Sequence, residues 1–179
     1  MVLSNQGVNV SQIQIVSAVK GMPFNATANF PEMVRSVNRV FKDDNGKRVV
    51  VSGQIVLGVP VSNVLYNQLK KKRPVILCYT TQMFNGHAVV VTGADAEVSA
   101  NGVMIKKLHL FDPYCYRNGF RPIIQPNGRM IGFQPGLEYD ESLRIAACEL
   151  WSPDGVNLDM KGRGRITGMI LIEGTTDDE

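Results

Sequence analysis

Histidine is scarce in this chain, with two residues, and cysteine is little commoner, with three. Three cysteines (Cys78, Cys115 and Cys148) are an odd count with no close pair, which argues against a disulfide framework. A zinc site would need all three to converge on one histidine, and none has ligand spacing, so neither a metal nor a cofactor is expected. No run approaches the roughly 20 apolar residues of a membrane span. The N-terminus also has no charged stretch followed by an apolar one, so no export signal is visible and the compartment stays unread. Charge of one sign is equally lacking: the net charge of +3 is too mild to argue for nucleic acid, and the only dense basic run is Lys70 to Arg73. The phosphate-binding patterns G-x-x-x-x-G-K-[ST] and G-x-G-x-x-G are absent, as is the serine-hydrolase elbow G-x-S-x-G.

What is present is apolar bulk. The 179 residues are 44% hydrophobic, enough to bury the core of one domain. "SQIQIVSAVKG" reads as a helix: Ser11 and Gln14 form a capping-box pattern, Ile13, Val16 and Val19 recur at helical spacing, and Gly21 ends it. "PEMVRSVNRVF" reads as a second helix, with Pro31 in its first turn and Val34, Val37 and Phe41 on one face. "DDNGKR" is a turn, followed by the strand "RVVVSGQIVLG". "VPVSNVLYNQLKKK" is a helix with Val61, Leu65 and Leu69 aligned and its lysines at the C-terminal end, where the dipole favours cations.

The character then changes. "RPVILCYTT", "HAVVVTG" and "VMIKKLHLF" are three strands in succession. "YCYRNGFRPIIQPNGRMIGFQPG" is rich in proline and glycine and reads as loop with short strands at most. "SLRIAACELW" and "GRITGMILIEG" read as strands, and residues 175–179 as a frayed acidic tail. Helices first and an antiparallel sheet after them define an α+β domain over residues 1–174, with a mostly helical part (1–72) and a sheet part (73–174).

Two residues carry chemistry. His87 begins the run "HAVVVTG", and Asp112 ends the run "LHLFDPY". If these runs form a hairpin, direct pairing of His87 with Asp112 centres the connection on Ser99 and Ala100. A tight turn at Asn101–Gly102 sets His87 opposite Tyr116 instead, so the His–Asp pairing needs a bulge or a wider loop. Alternation puts Asp112 on the face of Leu110 and Leu108, and His109 on the other face with Phe111. In such a pair the carboxylate fixes the imidazole tautomer and stabilises imidazolium, while the imidazole activates a thiol or hydroxyl. The plain alternative is a histidine at a strand edge and an aspartate that caps the turn before Pro113.

Four blocks in one order carry a resemblance: Gly7 to Val16, Leu69 to Ile76, Gly86 to Gly93 and Leu108 to Tyr114. Together they resemble the bacterial papain-like cysteine peptidases, with the bacteriocin-leader peptidases and the plant-pathogen effector proteases nearest. The resemblance spans the first residue to Tyr114. It implies a papain-like fold, a peptide or protein substrate, His87 as general base and Asp112 as its orienting partner. It also implies that Met1-Val2-Leu3 is the tail of the first long helix, whose start would carry the catalytic cysteine and an oxyanion-binding glutamine upstream of Met1.

No resident cysteine fits that role. Cys78 lies inside "PVILCYT" and Cys148 inside "IAACELW", both core-like settings. Cys115 follows the aspartate and would share its surroundings rather than face the histidine. None begins a helix, so none inherits the electropositive setting that a thiolate needs. Phe111, Tyr114, Tyr116 and Phe120 could wall a substrate groove or pack the sheet edge, and Lys161 to Gly168 could be an anion-holding turn or a solvated loop. Three readings follow: a papain-like peptidase read without its nucleophile, a natural pseudo-peptidase binding a peptide or protein partner in the cleft, or an interaction module in which the two residues never meet. Oligomeric state is left open by all three.

Overall fold

Residues 2–23, 28–58, 61–80, 86–113, 115–151, 159–160 and 164–176 are described by the computed structural model. The chain opens with one turn of helix, α1 (Val2–Asn5), which buries Val2 and Leu3. In α2 (Gln12–Lys20) the Ser11 hydroxyl accepts from the Gln14 N–H and the Gln14 side chain accepts from the Ser11 N–H. That helix stops at Gly21, which takes the left-handed conformation (φ 83°) that few other residues tolerate. Its ends agree with the spacing, but its face is rotated. Ile13 is 67% exposed, and Ile15 packs inward instead.

The second helix, α3 (Phe30–Val37), is capped by the same reciprocal bonds between Asn29 and Glu32. It is shorter than the apolar spacing predicts. Asn38 stops it by bonding both the N–H and the carbonyl of Gly53, and the chain enters β1 (Arg39–Lys42). Phe41 therefore packs from a strand, not from a helix. A tight turn, in which the Asp43 N–H donates to the Lys47 carbonyl, leads to β2 (Arg48–Leu57). Next come α4 (Ser62–Lys70), β3 (Val75–Thr80), β4 (His87–Ser99) and β5 (Gly102–Phe111).

The stretch that reads as loop is a long hairpin, β6 (Tyr116–Ile124) and β7 (Met130–Tyr139), which forms a two-stranded sheet of its own. Pro122 and Pro135 are tolerated because each strand of a two-stranded sheet has one unpaired edge. A 3-10 turn at Glu141–Leu143 precedes β8 (Ile145–Trp151), β9 (Asp159–Met160) and β10 (Gly164–Thr176). Thr175 and Thr176 extend β10 by pairing with Val50 and Val49, so the strand runs into the segment expected to fray. Residues 177–179 lie outside the described residues.

The main sheet is antiparallel with eight strands in the order β1-β2-β10-β3-β4-β5-β8-β9. Because β9 bonds both β8 and β10, the six strands β10, β3, β4, β5, β8 and β9 close on themselves. The fold is thus mixed α+β around a small barrel. Its interior is filled by Leu77, Val89, Val91, Leu108, Leu110 and Met169, among others, with Leu65 of α4. α4 stands at the end of the barrel nearest the β4–β5 turn, where Asn63 accepts from the Val103 N–H. On the outer face a second core joins α1 and α3 to β2 and β10, through Val2, Leu3, Val37, Val51, Ile170 and Ile172. The last strand is therefore central to both cores: Met169 faces one, and Ile170 and Ile172 face the other, all fully buried.

Candidate functional site

Two bulges shape the β4–β5 hairpin. The turn falls at Ala100–Asn101, with Ser99 and Gly102 as the closing pair, between the two alternatives drawn from the sequence. Lys106 is an extra residue on β5, and Thr92 is an extra residue on β4. Each bulge flips the inward parity of its strand. Val103 and Ile105 therefore share the barrel interior with Leu108 and Leu110, and Ala94 and Ala96 share it with Val89 and Val91. The shifts cancel, so Val90 pairs with Phe111 and the same register carries Asp112 opposite Val89. His87 is thus not opposite Asp112. It sits one inward position further along, within diagonal reach.

That diagonal closes. His87 Nε2 lies 2.7 Å from Asp112 Oδ1. A carboxylate can only accept, so Nε2–H is the donor in this bond, and in the neutral imidazole the lone pair then falls on Nδ1. Both groups lie at the mouth of the barrel, where β4 begins and β5 ends, away from the end that α4 occupies. The Asp112 side chain is 8% exposed and that of His87 18%. Partial burial strengthens the bond, since water competes poorly for either group.

The surroundings hold both residues still. Tyr79 pairs with His87 across β3–β4 and meets its ring edge to face, with centroids 5.4 Å apart. The Asp112 N–H donates to the Arg144 carbonyl at 2.8 Å. The Asp112 carbonyl accepts from Cys115 Sγ at 3.4 Å, and the Cys115 carbonyl accepts from the Asp140 N–H at 2.7 Å. The Arg144 guanidinium lies over the Phe111 ring, 5.5 Å from its centroid, and donates to the Tyr139 hydroxyl. Antiparallel pairing of β3 with β4 could have pointed to Tyr79. Nothing local marks Arg144, which is 32 positions from Asp112 in the chain.

A second histidine–aspartate pair gives a contrast. His109 Nε2 lies 2.9 Å from Asp95 Oδ1, on the outer side of the same hairpin. Their side chains are 45% and 57% exposed, and the His109 bond holds the Asp95 carboxyl below its ordinary range. Distance hardly separates the two pairs. Environment does: of the two pairs, only His87–Asp112 is shielded from solvent.

No cysteine of this chain aims a thiolate at His87. Cys78 pairs with Ala88 and alternates away from Tyr79, so it faces the outer side of the sheet. Burial pushes its thiol up to about 11. Cys115 is buried, with its S–H directed at the Asp112 carbonyl. Cys148 packs inside the barrel opposite Leu108. Val2 to Asn5 form a single turn of helix. Its Val2 and Leu3 belong to the outer core, which also takes in Val90 and Ile76, on the sheet face opposite His87.

Of the aromatics proposed as a groove wall, Phe111 is engaged by Arg144 and Phe120 lies out on the hairpin at 68% exposure. Tyr114 lies outside the described residues, as do Lys161 to Arg163. Among the described residues, no group of three or more histidine, cysteine, aspartate or glutamate side chains converges as a metal site would need. No helix among them is long and apolar enough to cross a membrane. Comparison with protein-family models, curated proteins and solved structures finds no match to this chain.

Proposed function

We propose that this is the base-bearing domain of a papain-like cysteine peptidase, hydrolysing peptide bonds by Cys–His–Asp chemistry, and that the chain of Met1 to Glu179 is inactive alone. The observation behind this reading is the shielded 2.7 Å bond between His87 and Asp112 at the barrel mouth. In the reaction, Nδ1 of His87 takes the proton of a thiol as that thiol attacks the peptide carbonyl. Asp112 stabilises the imidazolium, which then protonates the leaving amine. Cys78, Cys115 and Cys148 are core residues in this scheme, and a further cysteine supplies the nucleophile.

The position of α1, across the sheet from His87, favours a second reading. In it the barrel mouth binds a peptide or protein partner without cleaving it, and His87 and Asp112 are binding groups.

Intact mass and peptide hydrolysis of the protein from its natural source decide between the readings. A product that carries an additional cysteine, and whose hydrolysis is lost both on alkylation and in His87→Ala, supports the peptidase. A product of 179 residues that hydrolyses nothing supports the binding reading. Hydrolysis by the 179-residue chain that disappears in Cys115→Ala would overturn the assignment of the resident cysteines to the core.

A further inference from the structure

The β6–β7 hairpin has two unlike faces. Its register sets Phe120, Pro122 and Ile124 across from Pro135, Phe133 and Met130, so these six side chains share one side. The other side carries Gly119, Gly132 and Gly136, and Glu138 lies over the first of these: a Cβ on Gly119 would fall 2.3 Å from the Glu138 carboxyl carbon. Ile123, across from Gly132 on that side, is already half-buried, while the apolar side is bare. Phe120 is 68% exposed, Phe133 61%, Ile124 60% and Met130 55%. Aromatic side chains bring 150–250 Å² each, so the face leaves on the order of 600 Å² of apolar surface in water. That is the upper end of what a monomer exposes in one patch.

A lone two-stranded sheet is marginal in water and gains stability from a second layer on its apolar face. Among the described residues, no element of this chain covers that face. We propose that a second copy of the chain does, with the two hairpins stacked face to face across a two-fold axis.

Three features favour a second copy over a foreign partner. The six side chains include no charge, so the face meets itself without repulsion. Two such faces would bury about 1,200 Å² together, the lower bound of a stable interface. Pro122 and Pro135 also interrupt the hairpin's N–H groups, which discourages edge-to-edge strand addition and leaves the face as the route of association. This inference does not depend on the peptidase reading.

Sedimentation equilibrium over a dilution series tests the proposal. The expected result is a reversible dimer whose dissociation constant rises about thirtyfold or more in Phe120→Glu, as for an aromatic anchor at an interface centre. Ile124→Lys, near the hairpin tip, should weaken it in the same way, and Gln134→Glu on the glycine side should leave it unchanged. Far-UV circular dichroism checks that each variant is folded. A monomer at every concentration would overturn the proposal. So would a dimer that Phe120→Glu and Ile124→Lys leave intact.

Discussion

The backbone N–H of Asp112 is bonded to the carbonyl of Arg144, which fastens the end of β5 to the start of β8 independently of the aspartate side chain. Substituting the carboxylate therefore leaves its position in place. That makes His87 and Asp112 suitable for a double-mutant cycle. The singles His87→Ala and Asp112→Ala and the double variant should show a coupling of about 0.5–3 kcal/mol in urea unfolding, because each replacement removes the other's partner. Coupling near zero would mean that the two side chains do not bond in solution.

Cys78 should be chemically silent in the folded protein. Its thiol is pushed up from an ordinary 9.0 to about 11 by burial, and Cys115 and Cys148 are buried as well. A thiol-titrating disulfide at pH 8 should find essentially none of the three until denaturant is added, and then all of them. The folded state holds the Cys78 proton more tightly than the unfolded chain does, so its contribution to stability is fully present below pH 9 and falls as pH rises from about 9 to 11. Cys78→Ser should flatten that alkaline decline.

At the acid end the exposed pair takes over. Bonding to His109 holds Asp95 below its ordinary value, so the folded state binds that proton less readily than the unfolded chain. The resulting stabilisation is present above the unfolded carboxyl value and is lost as pH falls through the folded one. Asp95→Asn should make the acid limb of the stability profile shallower. The effect should be small and salt-sensitive, since both groups face water.

Gly168 leaves no room for a single methyl group. A Cβ there would stand 2.8 Å from the Val56 carbonyl oxygen and 3.0 Å from the Phe30 ring. The backbone of β2 cannot yield, so Gly168→Ala should destabilise by about 1–3 kcal/mol. Gly132→Ala, with nothing within 4 Å of the new carbon, should stay within about 0.5 kcal/mol of the parent. Thermal unfolding of the two variants side by side checks the contrast.

Local chemistry was legible in the sequence wherever its partners lie a few residues away. The capping box of Ser11 and Gln14 and the stop at Gly21 bound α2 because their hydrogen bonds are made within one turn of chain. The inward parity of Asp112 with Leu108 and Leu110 was equally legible, because alternation is a property of the strand itself. Tertiary structure decided the rest. Asn38 ends α3 by bonding Gly53, 15 residues away, and no helical spacing encodes that. The proline- and glycine-rich stretch reads as loop because propensity penalises both residues, yet cross-strand pairing holds it as a hairpin. Bulges at Thr92 and Lys106 turn His87 and Asp112 toward the barrel interior and offset one another in register, and both effects depend on which residues the barrel must bury. β10, the last strand of the chain, lies between β2 and β3 at the centre of the sheet because both of its faces are apolar, and only the folded chain provides a core on each side.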